Sequence, residues 1–153
     1  MNKAYDVKMG KVYCFNLNFQ WVALKKVKIS ESDSNEGLPH TFLREISVMM
    51  SLKDVKNIVQ VLDVYWNEKY FIIALEYAER GDLWCLLQKS PATHRLTFEQ
   101  VRGILKQILI GVELMHRKGI IHRDLKTSNI LLAADSRVLL ADFGLSRFMR
   151  IPG

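Results

Sequence analysis

The run His122-Arg123-Asp124-Leu125-Lys126-Thr127-Ser128-Asn129 gathers reactive side chains within eight residues, and thirteen residues past Asn129 stands Asp142-Phe143-Gly144. Asp142 is a hard oxygen donor of the kind Mg²⁺ takes, and Asn129 offers a neutral amide oxygen to a second Mg²⁺. Asp124 is a carboxylate able to orient an attacking hydroxyl and accept its proton. Lys126 can neutralise charge on a phosphoryl group in transit. Phosphoryl transfer depends mainly on positioning and charge stabilisation, so this set suffices in kind for Mg-nucleotide chemistry. Asp142-Phe143-Gly144 taken alone is also what a strand-end turn looks like.

These side chains need a frame. Residues 12–15 and 21–24 are rich in β-branched and aromatic types and predict strands, with a turn at 16–18. The polar stretch 30–37 predicts a loop. Pro39 opens a helix through Leu52, whose apolar positions Phe42, Ile46, Met49 and Met50 recur at helical spacing. Met49, Met50 and Met115 are read as core packing. Strands follow at 58–65 and 70–76, joined at Asn67-Glu68. Gly81-Asp82 opens a short amphipathic stretch, 83–88, and 91–95 is a loop. The clearest helix spans 97–117. Thr97 and Gln100 form a capping-box signature, and Val101, Ile104, Leu105, Ile108, Val112 and Met115 form one apolar stripe. After Lys118-Gly119, which suits a helix end, comes a loop at 121–129. Short strands at 130–133 and 138–141 then flank the Asp135-Ser136 turn. Strands, helix, strands, helices and a hairpin make an α+β pattern.

Val22-Ala23-Leu24-Lys25, Glu45, the run from His122 to Asn129, and Asp142-Phe143-Gly144, in that order, resemble the protein kinase family. The resemblance covers essentially the whole chain. It implies a protein-kinase-like fold: a small β-rich lobe with one helix and the first part of a helical large lobe. Residues 1–153 would be a partial kinase domain, with 1–78 as small lobe and hinge and 79–153 as the start of the large lobe. It implies ATP and Mg²⁺ as cofactors and transfer to Ser or Thr of a protein substrate. Asp124 would be catalytic, supported by Lys126 and Asn129, with Asn129 and Asp142 holding metal. Lys25 would hold the α- and β-phosphates and pair with Glu45. Ala23, two residues before Lys25 and so on the same strand face, would touch adenine, with Val12 and Leu131 covering the ring from its two sides. Leu75 would be the gatekeeper, Glu76 to Ala78 the hinge whose backbone bonds adenine, and Asp82 the contact to ribose. Asp-Leu-Lys-x-x-Asn, here from Asp124 to Asn129, is similar to the Ser/Thr form of the catalytic loop. The residues alone leave open that Glu45 is a solvated helix carboxylate and Lys25 a solvated strand lysine. His122 is read as a structural residue.

Glu36-Gly37-Leu38-Pro39-His40-Thr41-Phe42-Leu43-Arg44-Glu45-Ile46 is similar to the first-helix signature of cyclin-dependent kinases, and 22–26 and 58–64 resemble that group too. The cell-cycle-related kinase branch fits within it. The resemblance implies a cyclin or cyclin-like activator docking around residues 39–45. The sequence also departs from the family. Gly10-Lys11-Val12 matches the end of the glycine-rich loop, but Tyr5 and Val7 stand where its earlier glycines would fall. Glycine lets backbone approach phosphate closely, so the change bears directly on ATP affinity. Lys8-Met9 replace the inhibitory Thr-Tyr pair, and Met1 lies too near to supply a full first strand. The sequence ends nine residues after Gly144, before an Ala-Pro-Glu segment. The expectation is a truncated kinase whose 97–117 helix keeps part of its apolar stripe uncovered. A second reading is a catalytically inactive module that occupies a cyclin-like partner.

Composition narrows the classes. With 49% hydrophobic and 25% charged residues the chain is globular rather than disordered. The net charge of +6 comes from scattered basic residues, with no block of like charge, so no nucleic-acid partner is expected. No apolar run spans a bilayer and no apolar leader opens the chain, so no membrane partner is expected. The two cysteines, Cys14 and Cys85, lack metal-ligand spacing and read as reduced thiols of a cytoplasmic or nuclear protein.

Overall fold

A computed structural model describes residues 4–7, 10–17, 20–28, 40–67, 69–89 and 96–149. Its first part is one antiparallel sheet of β1 (Ala4–Val7), β2 (Gly10–Leu17), β3 (Gln20–Lys28), β4 (Val61–Trp66) and β5 (Tyr70–Glu76), in the order β1-β2-β3-β5-β4. The first strand is short, four residues, with Tyr5 paired to Val12 and Val7 to Gly10. Leu17 pairs with Gln20, so Asn16 and Leu17, expected in a turn, continue the strand. β4 begins at Val61 rather than at Ile58. The reason is that the preceding backbone has other partners: Val59 donates to the Leu140 carbonyl at 3.0 Å and Leu140 donates to that of Asn57 at 2.9 Å. The β4–β5 turn forms as expected, with Asn67 Oδ1 accepting from the amides of Lys69 and Tyr70, both at 2.9 Å. The loops expected at 30–37 and 91–95 lie outside the described residues.

Helix α1 (His40–Ser51) packs on the sheet through Phe42, whose ring centroid is 4.5 Å from that of Phe71. Val48, Met49 and Leu52 are buried beside it. Met50, expected in the core, is 51% exposed. One residue on from Met49, it has turned to the outer face, where Leu43, seven residues earlier, is also exposed.

The second part holds α2 (Leu83–Lys89), α3 (Phe98–Arg117), and two small sheets: β6 (Ile120–Ile121) with β9 (Arg147–Phe148), and β7 (Ile130–Leu132) with β8 (Val138–Leu140). Asp82 caps α2, its Oδ1 accepting from the Cys85 amide at 2.7 Å. The capping box on α3 is formed in both directions: Gln100 N–H to Thr97 Oγ1 and Thr97 N–H to Gln100 Oε1. The stripe on α3 is buried only towards its C-terminus. Met115 is fully buried and Ile104, Ile108 and Val112 half-buried, but Val101 and Leu105 are exposed. The β7–β8 hairpin meets the helix at Gln107 and Gly111, past Val101 and Leu105. No helix among the described residues is long and apolar enough to cross a membrane.

One core joins the two parts. Val48 and Leu52 of α1 meet Ile58 and Val59 of the following loop, Met115 of α3, Ile120, Leu140 and Phe143. Polar side chains hold that loop. Asn57 Nδ2 donates to the Val138 carbonyl at 3.0 Å and to Gln107 Oε1 at 3.2 Å. Gln60 Nε2 donates to the carbonyls of Val55 and Ile58, and Gln60 Oε1 accepts from the Asp54 amide. Here α3 approaches closely because position 111 has no side chain. A Cβ on Gly111 would meet Leu140 Cδ1 at 3.1 Å and Asn57 Cβ at 3.2 Å. Gly103, on the same helix, faces open space. Gly111→Val is expected to cost about 1–3 kcal/mol of stability through overpacking, while Gly103→Val costs nothing comparable. Denaturant melts of the two variants check this.

Candidate active site

Strand pairing and helix packing bring the first group of candidates together. Lys25 lies opposite Ile73 in the β3–β5 pairing, and Ala23 opposite Leu75. Glu45 sits on the inner face of α1, 7% exposed. Lys25 Nζ reaches Glu45 Oε1 at 2.5 Å and Asp142 Oδ1 at 3.4 Å. Glu45 is therefore a paired carboxylate and Lys25 a paired ammonium, which closes the alternatives left by the sequence. Burial alone would push the Lys25 ammonium down, but Glu45 and Asp142 outweigh it and hold its pKa above the ordinary value.

The second group lies on the loop between β6 and β7. Asp124 accepts from Lys126 Nζ at 2.8 Å and from Asn129 Nδ2 at 3.0 Å. The hydrogen bond from Lys126, with that from Asn129, holds the Asp124 carboxyl below its usual range. Asn129 Nδ2 also donates to the Asp124 carbonyl at 2.9 Å, which leaves Oδ1 as the atom offered to a cation. The Ala141 amide donates to the Asn129 carbonyl at 2.9 Å and so ties the two expected metal residues, Asn129 and Asp142, through backbone. Among the described residues no three carboxylate, histidine or cysteine side chains cluster as a closed metal cage. Asn129 and Asp142 can each offer a side-chain oxygen, and beside such donors Mg²⁺ would keep waters and take phosphate oxygens rather than an all-protein cage.

Backbone geometry aims these groups. Asp142 and Arg123 occupy the left-handed region, at φ 63° and φ 69°. Phe143, fully buried, stands against His122 with ring centroids 4.9 Å apart. His122, expected to be structural, has a backbone partner at each ring nitrogen. Its Nε2 lies 3.0 Å from the Ala141 carbonyl and its Nδ1 accepts from the Asp124 amide at 3.3 Å. Both bonds require the neutral ring protonated on Nε2. Ser146 Oγ donates to the His122 carbonyl and Arg123 Nε to that of Leu145, fastening the loop to the segment after Gly144.

The remaining candidates form a third group. Ala78 and Leu131 share one small apolar cluster with Ala133 and Leu139, and Asp82 pairs with Leu131 across an isolated bridge. Glu76 ends β5 and donates its amide to the Gln60 carbonyl at 2.9 Å. The Val12 backbone lies opposite Lys25 in the β2–β3 pairing. Sequence reasoning missed Asn57, Gln60 and Arg137, none of which belongs to a motif. It also missed that burial and then the like charges of Arg44 and Arg123 lower the pKa of Arg147.

Burial, only partly offset by the Ala141 carbonyl, lowers the pKa of His122 below the ordinary imidazole value. The unfolded chain then binds the extra proton first. The contribution of His122 to stability is complete above about pH 6.5 and is lost as pH falls below it. Melting temperature is expected to drop between pH 7.5 and pH 5.5, with a smaller drop in His122→Asn. An equal drop in both proteins would reject the assignment.

Comparison with known proteins agrees with this geometry. A family model described as protein kinase domain matches residues 8–153. Cell division control protein 2 homolog 3 of Trypanosoma brucei brucei is 41% identical over 133 residues, covering 87% of this chain and 41% of that protein. Cyclin-dependent kinase 1 of Encephalitozoon cuniculi (strain GB-M1) is 40% identical over 132 residues, 86% of this chain and 43% of that protein. NUAK family SNF1-like kinase 2 of Rattus norvegicus is 38% identical over 125 residues, 82% of this chain and 19% of that protein. The chain thus spans less than half the length of each of these relatives. With the Lys25–Glu45 pair formed, Phe143 buried and a kinase-domain match over nearly its whole length, the chain belongs to the protein kinase family and has cyclin-dependent kinases among its relatives.

Proposed function

We propose that the chain carries the nucleotide site and transfer centre of a Ser/Thr protein kinase of the cyclin-dependent type. Residues 1–78 serve as small lobe and hinge and 79–153 as the start of the large lobe. The observation that carries this reading is a pair of charge clusters: Lys25 between Glu45 and Asp142, and Asp124 held by Lys126 and Asn129. Mg-ATP supplies the phosphoryl group and the divalent charge that stabilises it in transit. Asp142 and the Asn129 Oδ1 hold the metal. Lys25, oriented by Glu45, holds the α- and β-phosphates. Ala23, Val12 and Leu131 enclose adenine, the backbone from Glu76 to Ala78 bonds its edge, and Asp82 faces the ribose. Asp124, ionised and fixed by two donors, orients the attacking Ser or Thr hydroxyl and takes its proton. Lys126 offsets charge on the group transferred.

The partner in this reading is a cyclin-like activator on α1, whose Leu43 and Met50 face outward. A cytoplasmic or nuclear location belongs to the same reading.

Two variants test it. Asp142→Asn is expected to abolish metal-dependent binding of Mg-ADP in a calorimetric titration, and unchanged affinity would overturn the assignment. Asp124→Asn is expected to bind Mg-ADP as before, yet to lose about 10²–10⁴-fold in transfer to a Ser/Thr peptide. If unaltered chain captures a cyclin-like partner but transfers no phosphoryl group, it acts as the inactive regulatory module instead.

A further inference from the structure

Among the described residues two ion pairs join the sheet to the helical part, and both are made by residues flanking β8. After β8, Asp142 meets Lys25 at 3.4 Å. Before it, Arg137 Nη2 meets Glu76 Oε1 at 2.7 Å. Each end of a three-residue strand is thus tied to the sheet, one at the transfer centre and one where β5 leaves the sheet.

The Arg137 contact is built in advance. Asp135 Oδ1 accepts from the Arg137 amide at 3.1 Å and Oδ2 from Arg137 Nε at 2.6 Å, which leaves Nη2 to reach Glu76. The other oxygen of Glu76 accepts from the Gln60 amide at 3.4 Å. Beyond Glu76 the chain stays stitched to the same hairpin: Arg80 N–H donates to the Leu132 carbonyl at 3.0 Å, Leu132 N–H to that of Gly81 at 2.8 Å, and Ala134 N–H to Glu79 Oε2 at 2.8 Å. Both walls of the third candidate group, Ala78 and Leu131, lie within this stitched region.

We propose that Arg137 is a positioning residue for the nucleotide pocket, latching Glu76 to the β7–β8 hairpin so that residues 76–81 and Leu131 keep one spacing. The use of that spacing for a nucleotide rests on the function proposed above, while the latch itself does not. Arg137 is partly exposed, so its pair with Glu76 adds little to global stability. Its effect is read in local opening and in ligand affinity.

The test is amide hydrogen exchange on the full chain without ligand, followed by titration with Mg-ADP. Arg137→Ala and Glu76→Gln are each expected to speed exchange at Gln60, Glu76, Arg80 and Gly81 while leaving Met115 in α3 unchanged. The double variant should be no faster than either single one. Arg137→Ala should also weaken Mg-ADP by about two- to fivefold, the range a partly exposed ion pair can supply, and Arg137→Lys should recover part of the loss. Unchanged exchange at those four amides, acceleration throughout α3, or additive effects in the double variant would overturn the latch. If unaltered chain fails to bind Mg-ADP, the proposed function fails, and the exchange result still decides whether Arg137 holds Glu76.

Discussion

The ammonium of Lys25 is the constraint around which this molecule is arranged. It lies in the groove between sheet and helix, largely removed from water, and a charge so placed needs counter-charge. Glu45 supplies it from α1 and Asp142 from the segment after β8, so one cation fixes three elements at once. Removing one member of a buried pair costs about 3–5 kcal/mol because the other is left without its partner. The placement of α1 and the stability of the site are therefore not separable. Phe42 against Phe71 and the Val48–Leu52 face hold the helix at the depth that Glu45 requires.

A second layer of order comes from neutral groups. Asn57, Gln60, Asn129 and His122 are polar side chains with backbone partners: Gln60 and Asn129 brace their own loops, while Asn57 and His122 tie a loop to β8 and the residue that follows it. The described residues contain no buried side-chain donor or acceptor without a partner. Loops near a reactive site must hold shape without a ladder of their own, and side-chain-to-backbone bonds in a low-dielectric interior supply that rigidity. His122 joins the two layers. It packs on Phe143 with its ring and spans from Ala141 to Asp124 with its nitrogens, so the apolar core and the charged loop share one residue.

Much of this was legible in the sequence, because chemistry restricts residue type more tightly than folding does. Lys25, Glu45, Asp124, Lys126, Asn129 and Asp142 were identifiable as motif residues. The Thr97–Gln100 cap and the Asn67 turn were identifiable from local hydrogen-bonding habits. What escaped depended on distant partners. Residues 58–60 have the composition of a strand, but the Val59 amide is claimed by Leu140 of β8 and the Ile58 carbonyl by the Gln60 side chain. Met50 and Leu105 are as apolar as their buried neighbours, and only the rotation of each helix against its cover decides which face is wet. Arg137 carries no local signal at all. Its role arises when the Asp135 turn aims it across to Glu76.

The two left-handed residues at the site, Arg123 and Asp142, carry a consequence for inheritance rather than for chemistry. A non-glycine residue in that region stores about 1–3 kcal/mol of strain, and β-branched side chains tolerate it worst. Asp and Asn tolerate it best among residues with a Cβ. Position 142 is thus filtered twice under the proposed function, first by a backbone that admits few side chains and then by the carboxylate that the proposed metal role requires. The two filters overlap on one residue. Most replacements therefore disturb the turn, and the conformationally easy ones, Gly and Asn, keep the turn while surrendering the charge.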